Sequence, residues 1–350
     1  MKPHKNAKLT SPLRRDGSHE HPVVAAAAGA ALGGALAAAK VVRDRVAERR
    51  ARSFALQPGE EPAEGIRRIA RGQIDLAIDE LQHAGNDVGA AIHETRKAGK
   101  RVRALVRLAR DGLGDEVYRR ENVAFRDLGR RLSPARDATV LVETLDAIRD
   151  RFADEVPDGA FARLRRTLAD QAEEANERIR ADEAMLGEVV AELAQARERV
   201  ATWPISSQDG PHVLADGLER IYRRGRKALR AAVDGDGETA TEQMHELRKR
   251  SKDLWHAAQV VEPLAPKRSR TLARRAHRIA NALGEDHDLA VLLEYARDRA
   301  DLLEPGERPL LAGMIHRRRA RLQRRALDRA RRVYGRKPRK LARRLATVSA

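Results

Sequence analysis

His93-Glu94-Thr95-Arg96-Lys97-Ala98-Gly99-Lys100 returns 152 residues later, from 93 to 245, as His245-Glu246-Leu247-Arg248-Lys249-Arg250-Ser251-Lys252, identical at five of eight positions. The same offset carries Gly65-Ile66-Arg67-Arg68-Ile69-Ala70-Arg71 onto Gly217-Leu218-Glu219-Arg220-Ile221-Tyr222-Arg223. An offset of 151 carries Leu132-Ser133-Pro134-Ala135-Arg136-Asp137 onto Leu283-Gly284-Glu285-Asp286-His287-Asp288, and each then runs into a Val-Leu step, at Val140-Leu141 and Val291-Leu292. Solenoid units repeat every ~20–50 residues, so this period is that of a domain half. Apolar residues recur three and four apart and nothing alternates over the length of a strand, which predicts an all-α chain. The expected architecture is two helical bundles related by internal duplication, each carrying the same basic, histidine-headed helix.

Proline and glycine punctuate the pattern at Pro58-Gly59, Gly112 to Gly114, Pro157-Asp158-Gly159, Asp209-Gly210-Pro211, Gly235-Asp236-Gly237, Pro263 to Pro266 and Pro305-Gly306. Helices are expected over 61–84, 87–111, 115–131, 134–156 and 159–200, then 212–233, 238–261, 267–282, 285–303 and 308–334, followed by a basic tail. Ser133-Pro134 reads as a helix start, with serine as the cap and proline in the first turn. The domain boundaries follow: an appended region 1–58, a first half 59–203, and a second half 204–347. Within the appended region, Val23 to Ala39 is rich in Ala, Gly, Leu and Val behind five basic residues. It reads either as a helix packed through small residues or as a targeting or membrane-associated segment. It is shorter than the ~20 residues of a spanning helix, so no transmembrane span is expected.

The chain holds 70 Lys+Arg against 52 Asp+Glu, a formal charge of +18 that predicts an anionic partner. Aromatic residues make up 3%, too few to build the stacking platforms of single-strand binders. No cysteine is present, which excludes disulfides and Cys-type zinc sites and accords with a reducing cytoplasm.

On a helix starting near Asp87, His93, Arg96, Lys97, Lys100, Arg103 and Arg107 share a face, while Ile92, Val102, Leu105 and Val106 turn to the core. His245, Arg248, Lys249, Lys252 and His256 repeat that stripe. Like charges at these spacings repel by a few tenths of a kcal/mol per pair, so such a stripe is disfavoured unless an anion lies along it. Neighbours stand ~5–6 Å apart, a pitch that suits a string of phosphates, for which arginine offers bidentate contacts and lysine a point charge. The plainer alternative is a solvated basic face.

These motifs resemble the CHAD family (conserved histidine α-helical domain). The resemblance rests on His93-Arg96-Lys100-Arg101-Arg103, on His245-Arg248-Lys249-Lys252, on the Arg136-Asp137 and His287-Asp288 steps, and on Arg220 to Arg226. It covers roughly residues 61 to 345. The resemblance implies two helical bundles about a pseudo-twofold, with inorganic polyphosphate held in a basic groove or pore where they meet. It also implies association with polyphosphate granules or with a separate triphosphate-tunnel enzyme. The central ligands would be His93, Arg96, Lys97, Lys100, Arg101, Arg103, His245, Arg248, Lys249 and Lys252. Arg68, Arg71, Arg136, Arg220, Arg223 and Arg226 would flank them. Asp137 and Asp288 would position arginines of the stripe or favour a helix start. Asp253 and Trp255 stand where the first copy has Arg101 and Arg103, which thins the second stripe, and His256 is a candidate to compensate.

No catalytic residue, cofactor or metal is expected. A metal-dependent phosphohydrolase built on His287-Asp288 is the weaker alternative, because the nearby stripe histidines sit among cations. Phosphate-cradling loops, Gly-x-Ser-x-Gly and the Glu-x-Glu-x-Lys pattern of triphosphate-tunnel enzymes are absent from the sequence. Non-specific nucleic-acid binding is the stronger rival. Between Ile315 and Leu345 there are fifteen Lys/Arg and one acid, Asp328, which leaves duplex binding open there. The expected location is cytoplasmic.

Overall fold

Prolines and capping carboxylates set where several of the described helices begin. The computed structural model describes residues 54–346 except Asn86, 207–209 and 236–238. The readings for residues 1–53, including the Val23 to Ala39 segment, lie outside the described residues. Eleven α-helices and no strand occur among the described residues.

Helix α1 (Pro62–Gln82) starts with Pro62 and with the Glu61 carboxylate accepting the Glu64 N–H. Helix α2 (Val88–Leu108) is capped by Asp87, which accepts from the Ala90 N–H at 2.9 Å. Helix α3 (Arg110–Arg131) bends at Gly114, whose φ of 73° suits glycine. Then come α4 (Pro134–Arg151), α5 (Ala162–Ala181) and α6 (Glu183–Ala201). The second copy supplies α7 (Gly210–Asp234), α8 (Thr239–Val260) and α9 (Pro266–Asp298), followed by α10 (Glu307–Val333) and α11 (Pro338–Ala346).

Helix α1 packs on α2 as α7 packs on α8, and α2 lies against α8. Ile92, Val102, Leu105 and Val106 are buried, as their spacing on α2 predicts, and Ile66, Ile69, Leu214, Leu218, Leu247 and Leu254 are buried with them. Where α7 crosses the end of α2 the backbones touch, and a Cβ on Gly217 would collide with the Leu108 carbonyl oxygen. Next to it, Arg220 donates to the Arg107 carbonyl at 2.8 Å, satisfying an acceptor that the helix end leaves open. The described helices belong to one compact unit.

Several boundaries differ from expectation. The expected helices 267–282 and 285–303 are one, α9. The first copy breaks at Pro134, which lacks the N–H and crowds the preceding turn, whereas the second has Glu285 there and continues. The expected helix 159–200 is two, because Asp182 leaves the helical region and its carboxylate accepts the Met185 N–H at 2.9 Å. Ser133 does not cap α4 through the backbone; its hydroxyl donates to Asp137 Oδ2 at 2.5 Å. The stretch read as a basic tail contains α11, with Leu341, Ala342, Leu345 and Ala346 buried on one face. Ahead of Pro58, Phe54 and Leu56 are core residues, and the Leu56 N–H donates to the Val260 carbonyl at 3.0 Å.

Candidate anion-binding site

Helices α2 and α8 bring Arg96 and Lys100 of the first copy together with Arg248 and Lys252 of the second. Lys100 is exposed, yet its pKa is lowered to about 8. The largest cause is desolvation by surrounding protein, with repulsion from Lys252, Arg96 and Arg248 added. Arg248 and Lys252 line a concave recess here, and Lys100 stands within electrostatic reach of both while remaining open to water. Lys252, half-buried, is likewise lowered to about 8, by burial first and then by Arg248. Neither lysine is ion-paired to a described residue.

A cleft of about 370 Å³ opens beside this cluster, walled by Arg136 and Glu143 of α4, Arg248 and Lys252 of α8, and Gly284 and Asp288 of α9. The Arg248 guanidinium packs beside Gly284, where an added Cβ would stand at an ordinary contact distance of 3.6 Å from Nη2. Arg96 donates to the Gly129 carbonyl at 3.2 Å and stands 3.7 Å from Asp137. Arg248 has Asp288 and Asp286 as its acidic neighbours. Burial pushes the Asp288 carboxyl above its ordinary pKa, against the pull of Arg248, Lys252 and Arg136. Asp137 lies in the first turn of α4, accepts from the Ser133 hydroxyl and stands 3.7 Å from Arg96.

The histidines sit at the ends of this arrangement. The His245 ring lies 4.4 Å from the His287 ring, and its Nδ1 is buried without a hydrogen-bond partner. Burial, then His287, Lys249 and Arg248, lower its pKa to about 4, so the imidazole is neutral at pH 7. His93 is exposed and lowered less, by burial and then by Arg136. The 151-residue offset makes Arg136 the counterpart of His287, so each heading histidine meets the equivalent side chain of its own copy.

Other expected ligands point elsewhere. Lys97 and Lys249 are exposed and held by acids one turn back, Glu94 at 3.1 Å and Glu246 at 2.8 Å. Arg101 turns away from the recess, donating to Gln73 at 3.1 Å with its guanidinium 5.5 Å from the Phe54 ring centre. Arg103 donates to Asn122 at 3.3 Å, with Arg107 and Asp253 as neighbours, and burial lowers it to about 10. His256 does not compensate for the thinner stripe. It is buried, with its ring edge-on to Phe54 at 5.5 Å and stacked on Trp255 at 4.4 Å.

Among the flanking arginines, Arg136 alone lines the cleft, gripped by Glu143 through two contacts of 3.0 Å. Arg68 clamps Glu60 and the Ala55 carbonyl, Arg220 caps α2, and Arg223 pairs with Glu219 on its own helix. Arg71 is half-buried on α1 without an ion pair to a described residue, and Arg226 lies near Tyr222.

The family model of the CHAD domain matches residues 68–297. The chain belongs to the CHAD family. It is 27% identical over 295 residues to the uncharacterized proteins MT2285 and Rv2226 of Mycobacterium tuberculosis, an alignment covering 78% of this chain and 54% of each relative. The chain thus spans about half the length of the curated relatives it matches. The matched CHAD segment holds both basic helices, α4 and nearly all of α9, while α10 and α11 follow it. Helix α10 nevertheless braces the candidate site: Arg319 and Gln323 donate to the buried Asp286 at 3.0 and 2.9 Å, next to His287. Sequence reading passed over Asp286 and Arg319, whose signal was an acid one residue before the histidine and an arginine inside a uniformly basic run. No helix of the described residues is long and apolar enough to cross a membrane. Among the described residues no group of three or more His, Asp or Glu side chains is arranged to hold a metal.

Proposed function

We propose that this CHAD chain binds inorganic polyphosphate, without catalysis, in the recess where α2 and α8 meet. The observation that carries the reading is the pair Lys100 and Lys252. Two ammonium groups from the two copies share one recess with Arg96 and Arg248; burial first, and then the neighbouring cations, lower their pKa values, against the opposing pull of Asp137 and Asp288. An extended phosphate chain supplies the missing charge along its whole length, and the cleft beside Arg248 continues the path toward Arg136. In this reading the halves 59–203 and 204–347 are duplicated bundles about a pseudo-twofold, the recess is their shared groove, and the sharpened ligand set is Arg96, Lys100, Arg136, Arg248 and Lys252. His93 and His245 lie beside the chain as hydrogen-bond donors. The protein would act in the cytoplasm as an anchor or delivery module for polyphosphate granules or a separate triphosphate-tunnel enzyme.

Calorimetric titration with long-chain polyphosphate at increasing salt tests the reading. Saturable binding whose affinity falls steeply with salt is expected, as phosphates displace counterions. No saturable heat at low salt overturns it, and phosphate release during the titration would move the protein to the enzymes.

A further inference from the structure

Helices α10 and α11 carry a second concentration of cations, away from the recess. On α10, Arg321, Arg324, Arg325 and Arg332 are exposed, while Leu322, Ala326, Ala330 and Val333 bury the opposite side. On α11, Arg339, Lys340 and Arg344 are exposed, with Leu341, Ala342, Leu345 and Ala346 turned inward. None of these seven cations is ion-paired to a described residue, and the lone acid of the segment, Asp328, is engaged by Arg331 at 3.1 Å. The turn between the helices is fixed to α7: the Tyr222 hydroxyl donates to the Val333 carbonyl at 2.8 Å and accepts from the Arg336 N–H at 3.0 Å. A Cβ on Gly225 would collide with the Tyr334 ring, so this seat is close-fitting.

We propose that the exposed face of α10 and α11 binds the phosphate backbone of double-stranded nucleic acid, independently of base sequence. Arg321 to Arg332 spans ~16 Å along the helix axis, while a duplex presents a charge every ~1.7 Å, so one helix face meets many phosphates. The face has no exposed aromatic ring, since Tyr334 is buried, and a single strand would find no stacking platform. The apolar side of both helices is consumed by the core, and the exposed large apolar residues Val123, Val233 and Val291 are on other elements. Nothing here can insert into a bilayer in the way of an interfacial amphipathic helix. The face lies beyond the CHAD match and uses none of the recess cations.

The test uses the full chain, a mixed-sequence duplex DNA, polyphosphate, and vesicles of phosphatidylserine with phosphatidylcholine. Replacing Arg321, Arg324, Arg325 and Arg332 together by Gln is expected to weaken duplex binding tenfold or more. The slope of log affinity against log salt should flatten by ~0.9 for each phosphate that the variant no longer neutralises. Polyphosphate binding should be unchanged in that variant, and a Lys100→Glu, Lys252→Glu variant should keep duplex binding. Duplex affinity that survives the four substitutions overturns the proposal, as does equal loss of both polyanions, or vesicle binding that exceeds duplex binding. If polyphosphate fails to bind the wild type while duplex binding still depends on the α10 arginines, only the reading of the recess falls.

Discussion

Arg107 of α2 donates to Asp253 of α8 at 2.9 Å, and the other oxygen of that buried carboxylate accepts from Arg250 at 2.8 Å. Asp253 breaks the basic pattern of the second stripe, and its position explains why: it ties the two repeated helices to each other. Removing one partner of a buried pair leaves the others uncompensated. Asp253→Asn should therefore destabilise the fold by about 3 kcal/mol in urea unfolding. A change near zero would mean that the two arginines are satisfied by water.

Lys100 and Lys252 make a pH-dependent contribution of unusual sign. Their folded pKa values, about 8, lie below the ordinary 10.5. Between those values the unfolded chain binds more protons, so stability should rise with pH from about 8 toward 10.5. Below about pH 8 both states are protonated and the full repulsion is present. Melting temperatures across this window should climb in the wild type relative to Lys100→Met. Polyphosphate affinity should fall over the same window as the lysines lose their charge.

His245 acts at the other end of the scale. Its folded pKa of about 4 lies below the ordinary 6.5, so the unfolded state takes up a proton first and this contribution to stability is lost as pH falls from 6.5 toward 4. A bound polyanion reverses the balance by favouring the protonated ring. Titrations at pH 5.5 in two buffers of different ionisation enthalpy should show net proton uptake on polyphosphate binding, reduced in His245→Gln. Identical heats in both buffers would remove the ring from the site.

Gly217 permits the close crossing of α7 over the end of α2. Gly217→Ala should cost about 1–3 kcal/mol by forcing the helices apart, measured by urea unfolding, with little change in anion affinity under folding conditions. An unchanged midpoint would show that the crossing can relax freely.

The repeated words at 93 and 245 already fixed the two helices on which the site is built, because charge and apolar period are both legible there. What the one-dimensional pattern left open was where each long side chain of the stripe turns. Arg101 shares the basic run but points to Gln73, and His256, one turn beyond Lys252, is buried against Phe54 and Trp255. Breaks governed by proline were readable, as at Pro134. The break at Asp182 was not, since an aspartate cap inside an acidic helix looks like one more exposed acid. Helix α11 was hidden by its charge: four buried apolar residues among four cations read as a tail until the seat on α7 gave them a partner.

The most direct measurement is a pair of direct titrations at ~150 mM salt, one with labelled long-chain polyphosphate and one with labelled duplex DNA, on the wild type and on Lys100→Glu, Lys252→Glu. The account predicts that polyphosphate binds the wild type at least tenfold more tightly than the duplex does, about 1.4 kcal/mol, and that the double reversal abolishes this preference in a folded protein while duplex affinity is kept. Undiminished polyphosphate binding by the folded variant would contradict it and place the polyphosphate site elsewhere on the chain.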